Sequence, residues 1–374
     1  EENLEGVVER RIHEYSNYIQ GLMHLNQRYD IWLRLSKKSY KKGFNSLQLL
    51  GKVLIELFKS ELPIIERMQV TFLTDERAIG EQYRRALSTY EARDARARGL
   101  TDEEVKTFYG CALCQSFAPP HICVITPQRY ANCGAISWFD GKAAASIDPD
   151  GPIFAIEKGT CLDSVKGEYQ GVNENARKKS LGEVDRIWLY SAFGYPHTSC
   201  GCFEGIAFYI PEVEGFGIVH RGFNGLTVNG LPFSTMADST AGGRQIDGFH
   251  GISLEYMRSP KFLLAEGGYD AVAWMPADIK DRMKSYIPMQ IYDRIATEQN
   301  TSDLAGLKEF LRSHEHPVVR RWKQAETGIS VSTLPVFSAG DVPLITNGVR
   351  IILKNARIYA DRVIIEPLRK ERKG

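Results

Sequence analysis

Residues 110–134 have the sequence GCALCQSFAPPHICVITPQRYANCG, with the spacing Cys111-x2-Cys114-x8-Cys123-x9-Cys133. Four thiolates in one short segment suit a [4Fe-4S] cluster, which needs four cysteine sulfurs to converge on one small volume. The alternative is a structural zinc site with four cysteine ligands. Zinc ribbons more often use two close pairs, and here only Cys111 and Cys114 are close, so the spacing favours iron–sulfur.

The tripeptide Cys200-Gly201-Cys202 contributes two more cysteines. It offers two thiolates and, if the amides lose their protons, the backbone nitrogens of Gly201 and Cys202, which together make a planar N2S2 ligand set. Square-planar donors of this kind favour Ni(II) or Cu(II) over tetrahedral zinc. A side chain at position 201 would crowd the plane, whereas glycine permits the dihedral angles required. The alternatives are a redox disulfide between the two cysteines, or two unrelated buried thiols.

The composition is that of an ordinary globular protein, since 43% of the 374 residues are hydrophobic and 25% are charged. Lysine plus arginine, 47, nearly balance aspartate plus glutamate, 46, so neither nucleic acid nor a membrane is expected as a partner. The clustering of six of the seven cysteines argues against a secreted disulfide framework and predicts a reducing cytoplasm. The sequence begins at Glu1 without a methionine, as expected of a fragment or a processed product.

Hydrophobic periodicity predicts a mixed α/β (α+β) fold with two main mixed domains, the metal cluster lying in the C-terminal one. The expected divisions are a first α+β domain at 1–99, the cluster domain at 100–323, and at 324–374 a connector with a C-terminal strand pair packed on the cluster domain. The predicted helices are 4–23, 46–61, 278–285, 303–313 and one from an Asp75 cap to Gly99. The predicted strands are 29–35, 70–72, 153–156, 187–190, 206–210, 271–274 and two within 349–365.

Four segments resemble the acetyl-CoA synthase family, the acetyl-forming subunit of the carbon monoxide dehydrogenase/acetyl-CoA synthase system. They are 110–119, 132–134, 195–203 and 241–245, and the likeness extends from Val7 to about Trp322. The resemblance implies a nickel–nickel–[4Fe-4S] cluster. Its cube would be held by Cys111, Cys114, Cys123 and Cys133, its proximal nickel by Cys114, Cys200 and Cys202, and its distal nickel by Cys200, Gly201 and Cys202.

The activity implied by the resemblance is the synthesis of acetyl-CoA from CO, coenzyme A and a methyl group donated by a methylated corrinoid iron–sulfur protein. This is a CO-methylating acetyl-CoA synthase, an acyltransferase of the anaerobic Wood-Ljungdahl pathway. Phe117 matches a phenylalanine that lies against the proximal metal and shapes access for CO, with core packing as the alternative. Bacterial members also carry an N-terminal domain that docks carbon monoxide dehydrogenase, and its lack in this sequence puts that docking in doubt.

Two other functions stay open from the residues alone, an iron–sulfur electron carrier and a zinc-stabilised interaction module of a larger complex. For coenzyme A, Arg28, Trp32 and Arg34 lie on or near one predicted strand, where an indole and guanidinium groups could stack adenine and pair phosphate. The alternative is a half-exposed strand with surface arginines. Arg244 is a second candidate.

Two further residue types are assigned structural roles. Cys161 stands apart from the two clusters and is expected to be a buried thiol. Among the histidines, His121 beside the four-cysteine run could ligate zinc but is better explained as a core or supporting residue. The pair His314 and His316 is expected in a solvated loop.

Overall fold

The computed structural model describes residues 8, 11–12, 15–16, 19, 22–26, 31–62, 64–194, 199, 201–326, 344–346 and 349–351, some of them by their backbone alone. The chain divides into two compact units, residues 1–327 and residues 328–374. Helices and several sheets occur together in the first unit, which confirms the predicted mixed α/β class. The predicted divisions at 99 and 323 stay predictions.

Within its described residues, the first hundred positions combine helical residues at 8, 11–12 and 15–16 with a strand pair and three further helices. Strand β1 (Leu22–Asn26) pairs antiparallel with β2 (Ile31–Leu35), which confirms the predicted strand over 31–35; residues 29 and 30 lie outside the described part of the chain. The helices are Lys37–Lys41, Leu47–Glu61 and Glu76–Ala97. Ser46 and Asp75 cap the two longer ones by accepting hydrogen bonds from backbone N–H groups three residues on, as expected for N-cap side chains.

A three-stranded antiparallel sheet carries the four-cysteine segment. Its order is β4-β3-β5, with β3 at Thr107–Cys111, β4 at Cys123–Ile125 and β5 at Ile153–Glu157. The helix Trp138–Ile147 follows, then the short pair β6 (Cys161–Asp163) and β7 (Glu168–Tyr169), and the helix Gln170–Lys179. One apolar cluster joins Leu50, Leu54 and Phe58 of the helix Leu47–Glu61 to this sheet.

A four-stranded sheet of order β10-β8-β9-β11 forms the second half of the unit. Its strands are β8 (Gly205–Ile210), β9 (Gly215–His220), β10 (Phe249–Ile252) and β11 (Val272–Trp274). Around it lie the helices Phe233–Thr240, Ala277–Arg282, Met289–Tyr292, Leu304–Ser313 and Val318–Glu326. Strands β8 and β9 are buried along nearly their whole length, so this sheet is the rigid support for the loops at its ends.

Two predicted strands are wrong. Residues 70–72 form no strand; Val70 and Phe72 instead contact Gly51 of the helix Leu47–Glu61. Residues 187–190 are also not a strand, and their backbone is held by separate loop contacts, such as Ile187 N to Asn173 Oδ1 at 2.9 Å. Val70 and Phe72 are half-buried and Thr71 is exposed, whereas Ile187, Leu189 and Tyr190 are buried without strand pairing.

The second unit contains the antiparallel pair β12 (Leu344–Thr346) and β13 (Val349–Ile351). A strand at Val349 is thereby confirmed, although its partner precedes it in sequence, and the rest of the predicted 349–365 region lies outside the described residues. Among the helices that the structure describes, none combines the length and the apolar composition needed to cross a membrane.

Candidate metal centre

Strand pairing places two of the predicted ligands side by side. Cys111 at the end of β3 lies directly opposite Cys123 at the start of β4, and both side chains are buried. Residues directly opposite in an antiparallel pair share a face, with Cβ atoms about 4.5–5.5 Å apart. The sheet therefore brings together two thiols that are separated by a loop in sequence.

The loop between these strands carries Cys114. A short 3₁₀ helix, Leu113–Ser116, follows β3, and the Cys114 carbonyl accepts hydrogen bonds from the N–H groups of Phe117, at 3.0 Å, and Ala118, at 2.9 Å. This tight turn returns the chain to β4. Ala118 is fully buried, whereas Phe117 is 47% exposed. Phe117 is therefore not part of the hydrophobic core in this structure, and its role beside the metal stays a prediction.

The fourth cysteine lies in a turn that ends in glycine. Gly134 N donates to Ala131 O at 2.8 Å, and Gly134 has φ +71°, a left-handed conformation that glycine adopts readily. The Glu204 carboxylate lies directly over the Cα of Gly134, and Glu204 N donates to Asn132 O at 3.2 Å. The turn bearing Cys133 is therefore bonded to the segment just after Cys202.

The Cys-Gly-Cys turn is described except for Cys200. Gly201 has φ +113°, which confirms that position 201 needs the conformational freedom of glycine. Cys202 is buried. The Gly201 N–H donates to Ser199 Oγ at 3.4 Å, a long contact that a metal bound to this nitrogen would replace.

A glycine-rich strap connects this turn to the four-cysteine segment. Gly242 and Gly243 both have left-handed φ angles, and their N–H groups donate to Ser199 O at 3.0 and 3.4 Å. On its other side the strap touches the loop after Cys114: a side chain on Gly243 would come within 2.9 Å of Ala118 Cβ. The structure thus brings residues 117–118, Ser199, Gly201 and residues 241–243 together.

The residues fit a thiolate-bound cluster in chemistry and in the segments that meet. Cys111 and Cys123 are buried in one apolar cluster, and the half-buried Cys133 packs against it, so three of the four thiols of the predicted cube adjoin the same cluster. Within the described ranges, which omit Cys200, no three Cys, His, Asp or Glu side chains are arranged as ligands of one metal ion. The individual ligand assignments therefore stay predictions.

Sequence reasoning missed Arg129, which ties two parts of the four-cysteine segment together. Its guanidinium donates to Val124 O at 2.7 Å, next to Cys123, and to Asn132 Oδ1 at 3.5 Å, next to Cys133. It also contacts His250 Nε2 at 3.1 Å. Burial, with Arg129 as the next cause, lowers the pKa of His250 to about 3, so the ring is neutral. Because arginine only donates, Nε2 accepts, and Nδ1–H donates to Ser191 O at 3.2 Å.

A buried carboxyl lies further along the same network. The Ser191 hydroxyl donates to Glu266 Oε1, and burial raises the pKa of Glu266 to about 7. No sequence motif marks Arg129, His250 or Glu266, because each is recognisable only by the groups it meets in the fold. The network connects the four-cysteine segment to Ser191 and Glu266 and contains none of the predicted metal ligands.

The predicted coenzyme A contacts are not brought to this site by any described side chain. Arg28 lies outside the described residues, and Trp32 and Arg34 are described by backbone alone, opposite Leu25 and Met23 in the strand pair. Their role stays a prediction. Arg244 donates to Asp238 O at 3.3 Å and Ser239 O at 3.1 Å, so its guanidinium caps the helix Phe233–Thr240.

Two predictions about isolated residues are wrong. Cys161 is exposed, because it lies on the short surface pair β6–β7. His316 is buried and its Nε2 contacts Val272 O at 2.9 Å, whereas its neighbour His314 is exposed as predicted. His121 is buried, as expected of a core residue.

Comparison with known proteins places the whole chain among related sequences. A family model for the C-terminal part of the ACS/CODH beta subunit matches residues 90–322, and one for the beta subunit of the CO dehydrogenase/acetyl-CoA synthase complex matches residues 1–79. The acetyl-CoA decarbonylase/synthase complex subunit beta of Methanothermobacter thermautotrophicus is 52% identical, over 98% of this chain and 83% of its own length. Its counterpart from Methanopyrus kandleri is 51% identical, over 100% and 82%. A solved C-terminal domain of the acetyl-coenzyme A synthase alpha subunit is 34% identical over 32% of this chain and 96% of its own, with a TM-score of 0.30.

Proposed function

The chain belongs to the family of beta subunits of acetyl-CoA decarbonylase/synthase complexes, and from this premise we propose that it makes acetyl-CoA from CO, coenzyme A and a methyl group donated by a methylated corrinoid protein. The family resemblance inferred from the cysteine motifs is confirmed. The chain then acts as the acyltransferase subunit of a complex, with carbon monoxide dehydrogenase and the corrinoid iron–sulfur protein as its partners.

The observation that carries the proposal is the meeting of the Cys-Gly-Cys turn with the four-cysteine segment. Glu204 N bonds to Asn132 O on one side, and the strap at Gly242 and Gly243 bonds to Ser199 on the other. A generic iron–sulfur carrier needs four cysteines but has no use for a second, separately encoded thiolate pair beside them. A shared thiolate between two kinds of metal explains why the fold joins both.

In this proposal Cys111, Cys114, Cys123 and Cys133 hold a [4Fe-4S] cube. The proximal nickel is held by Cys114, Cys200 and Cys202, and the distal nickel by Cys200 and Cys202 with the backbone nitrogens of Gly201 and Cys202. When bound, the cluster supplies a soft, thiolate-held nickel on which the methyl and carbonyl groups can be joined. The protein's own contribution is to hold the two cysteine segments in register and to keep the site dry.

The burial of residues around the thiols supports the role of the protein in keeping the site dry. Cys202, Phe203 and Ala118 are buried, which excludes water and lowers the local dielectric around reactive groups. Phe117 is the exception, since 47% of its surface is exposed, while its backbone carbonyl oxygen lies near Gly242. An aromatic ring at the edge of a closed site can restrict which small molecules enter, and we assign Phe117 this role for CO.

The test is an anaerobic metal analysis combined with one pair of variants. The native chain should be brown, contain two nickel ions for each cube, give a CO-dependent electron-spin signal and form acetyl-CoA from the three substrates. Cys202→Ala should abolish acetyl-CoA formation and leave the cube's absorbance unchanged. Cys161→Ala is the matched control, because that thiol is exposed and away from the site, and it should keep full activity.

Three outcomes would contradict the proposal. A brown protein without nickel would indicate an electron carrier, and a colourless protein with stoichiometric zinc would indicate an interaction module. Retained acetyl-CoA formation in Cys202→Ala would refute the role given to that thiolate.

A further inference from the structure

Arg221 binds the Cys-Gly-Cys turn through its side chain. Its Nη2 donates to the carbonyl oxygen of Gly201 and, at 3.2 Å, to that of Phe203. The guanidinium also lies over the Phe233 ring, with Cζ 5.2 Å from the ring centroid. One cation therefore contacts carbonyls on both sides of Cys202, and no sequence motif draws attention to it.

The sheet fixes this arginine relative to the turn. Gly205 at the start of β8 pairs with His220 at the end of β9, and the Arg221 N–H continues the ladder by donating to Glu204 O at 3.0 Å. Arg221 is thus the first residue beyond a buried strand, facing the residues that lead from Cys202 into β8. Its position is set by strand pairing, so the contact with Gly201 does not depend on a flexible loop.

The chemistry of the proposed nickel site gives this contact a purpose. The Gly201 carbonyl and the Cys202 nitrogen belong to the same peptide bond. When a metal takes that nitrogen, the N–H bond breaks, the proton passes to solvent or buffer, and the electron pair binds the metal. Resonance across the peptide then places part of the negative charge on the Gly201 oxygen. A guanidinium donating to this oxygen stabilises the charge by a charge-assisted hydrogen bond.

We propose that Arg221 is a positioning residue that favours binding of nickel through the Cys202 backbone nitrogen. The inference rests on the proposed function, because it presupposes a nickel site at this turn. It predicts a preference among metals: Arg221 should matter for Ni(II), which replaces amide protons, and not for Cd(II), which binds the same thiolates and leaves the amides protonated.

The experiment measures the affinities of Ni(II) and Cd(II) separately, by competition with a chelator, on the full chain carrying its cube but stripped of nickel. Arg221→Met should lower the Ni(II) affinity by roughly ten- to a hundredfold, as expected for a hydrogen bond to a charged group, and change the Cd(II) affinity by less than about threefold. Arg221→Lys keeps the charge and should recover part of the loss. Arg321→Met is the matched control, since Arg321 also donates to two carbonyls, Glu214 O at 3.0 Å and Glu266 O at 2.8 Å, and it should leave the ratio of the two affinities unchanged.

Each other outcome is decisive. Equal losses of Ni(II) and Cd(II) affinity in Arg221→Met would mean that the arginine only holds the turn in shape. Unchanged Ni(II) affinity would mean that the arginine neither shapes the turn nor favours nickel. Either result overturns the inference. The variant Cys202→Ala distinguishes failure of the inference about Arg221 from failure of the proposed function. If that variant binds Ni(II) as tightly as the native chain, the turn is not the nickel site and both proposals fall.

Discussion

Adding one methyl group at Gly134 tests the contact on which the metal centre depends. A Cβ at this position would overlap the Glu204 carboxylate, so the carboxylate must move away and give up the hydrogen bond that it accepts from Leu254 N at 2.8 Å. A hydrogen bond to a charged group contributes about 1.5–3 kcal/mol. Alanine at φ +71° costs about a further 1–2 kcal/mol. Gly134→Ala should therefore lower the free energy of unfolding by about 2.5–5 kcal/mol.

A double-mutant cycle isolates the contact with Glu204 from the backbone cost. In a Glu204→Ala background the carboxylate and its hydrogen bond are already absent. Gly134→Ala should then cost only the about 1–2 kcal/mol needed to hold an alanine in the left-handed backbone conformation. The coupling energy between the two positions is the difference, about 1.5–3 kcal/mol. Gly230→Ala is the control, because Gly230 has φ +77° and nothing within 4 Å of an added side chain; it should show the backbone cost and no coupling to Glu204.

The assay is denaturant unfolding of the metal-free chain for all variants, with iron content after cluster reconstitution as a second measurement. Gly134→Ala should lose iron, since Cys133 precedes the displaced residue. If Gly134→Ala costs the same in the native and Glu204→Ala backgrounds, the turn bearing Cys133 does not rest on the segment after Cys202. That result would refute the proposal that the four-cysteine segment and the Cys-Gly-Cys turn form one site.

Two further predictions concern the nickel turn and the buried carboxyl behind the site. Gly201→Ala and Gly43→Ala should each lower the free energy of unfolding by about 1–3 kcal/mol, because both glycines have φ beyond +100°. Only Gly201→Ala should lose nickel, measured after desalting. Equal nickel loss in Gly43→Ala would contradict a specific role of Gly201 in nickel binding. Burial raises the pKa of Glu266 from 4.5 to about 7, so the folded chain keeps a proton that the unfolded chain releases, and stability should fall as the pH rises from about 4.5 to 7. The variant Glu266→Gln removes this titration, and its side chain can still accept a hydrogen bond from Ser191. The unfolding free energy of the variant relative to the native chain should therefore rise by roughly 3 kcal/mol across that pH range. A difference that does not change with pH would show that Glu266 does not titrate as described.

Local signals in the sequence predicted the elements that depend on nearby residues. The cap at Asp75 is found as expected, because an N-cap bonds to groups two or three residues away. The apolar runs at 70–72 and 187–190 misled the strand prediction, because such a run indicates burial and does not say what covers it. The prediction that Cys161 is buried was wrong for a related reason, since a lone cysteine does not indicate which side of a sheet its thiol lies on.

The sequence by itself predicted the donor set, six clustered cysteines and the glycine at position 201, because chelation by one turn of chain is a local property. It also determined the family, through motifs that flank those cysteines. Only the tertiary structure decided that Cys111 faces Cys123, that Gly134 must lack a side chain beneath Glu204, and that Arg129 and Arg221 hold the cysteine segments in place. These contacts join residues far apart in the chain, and strand pairing and packing, which no single segment encodes, set which of them meet.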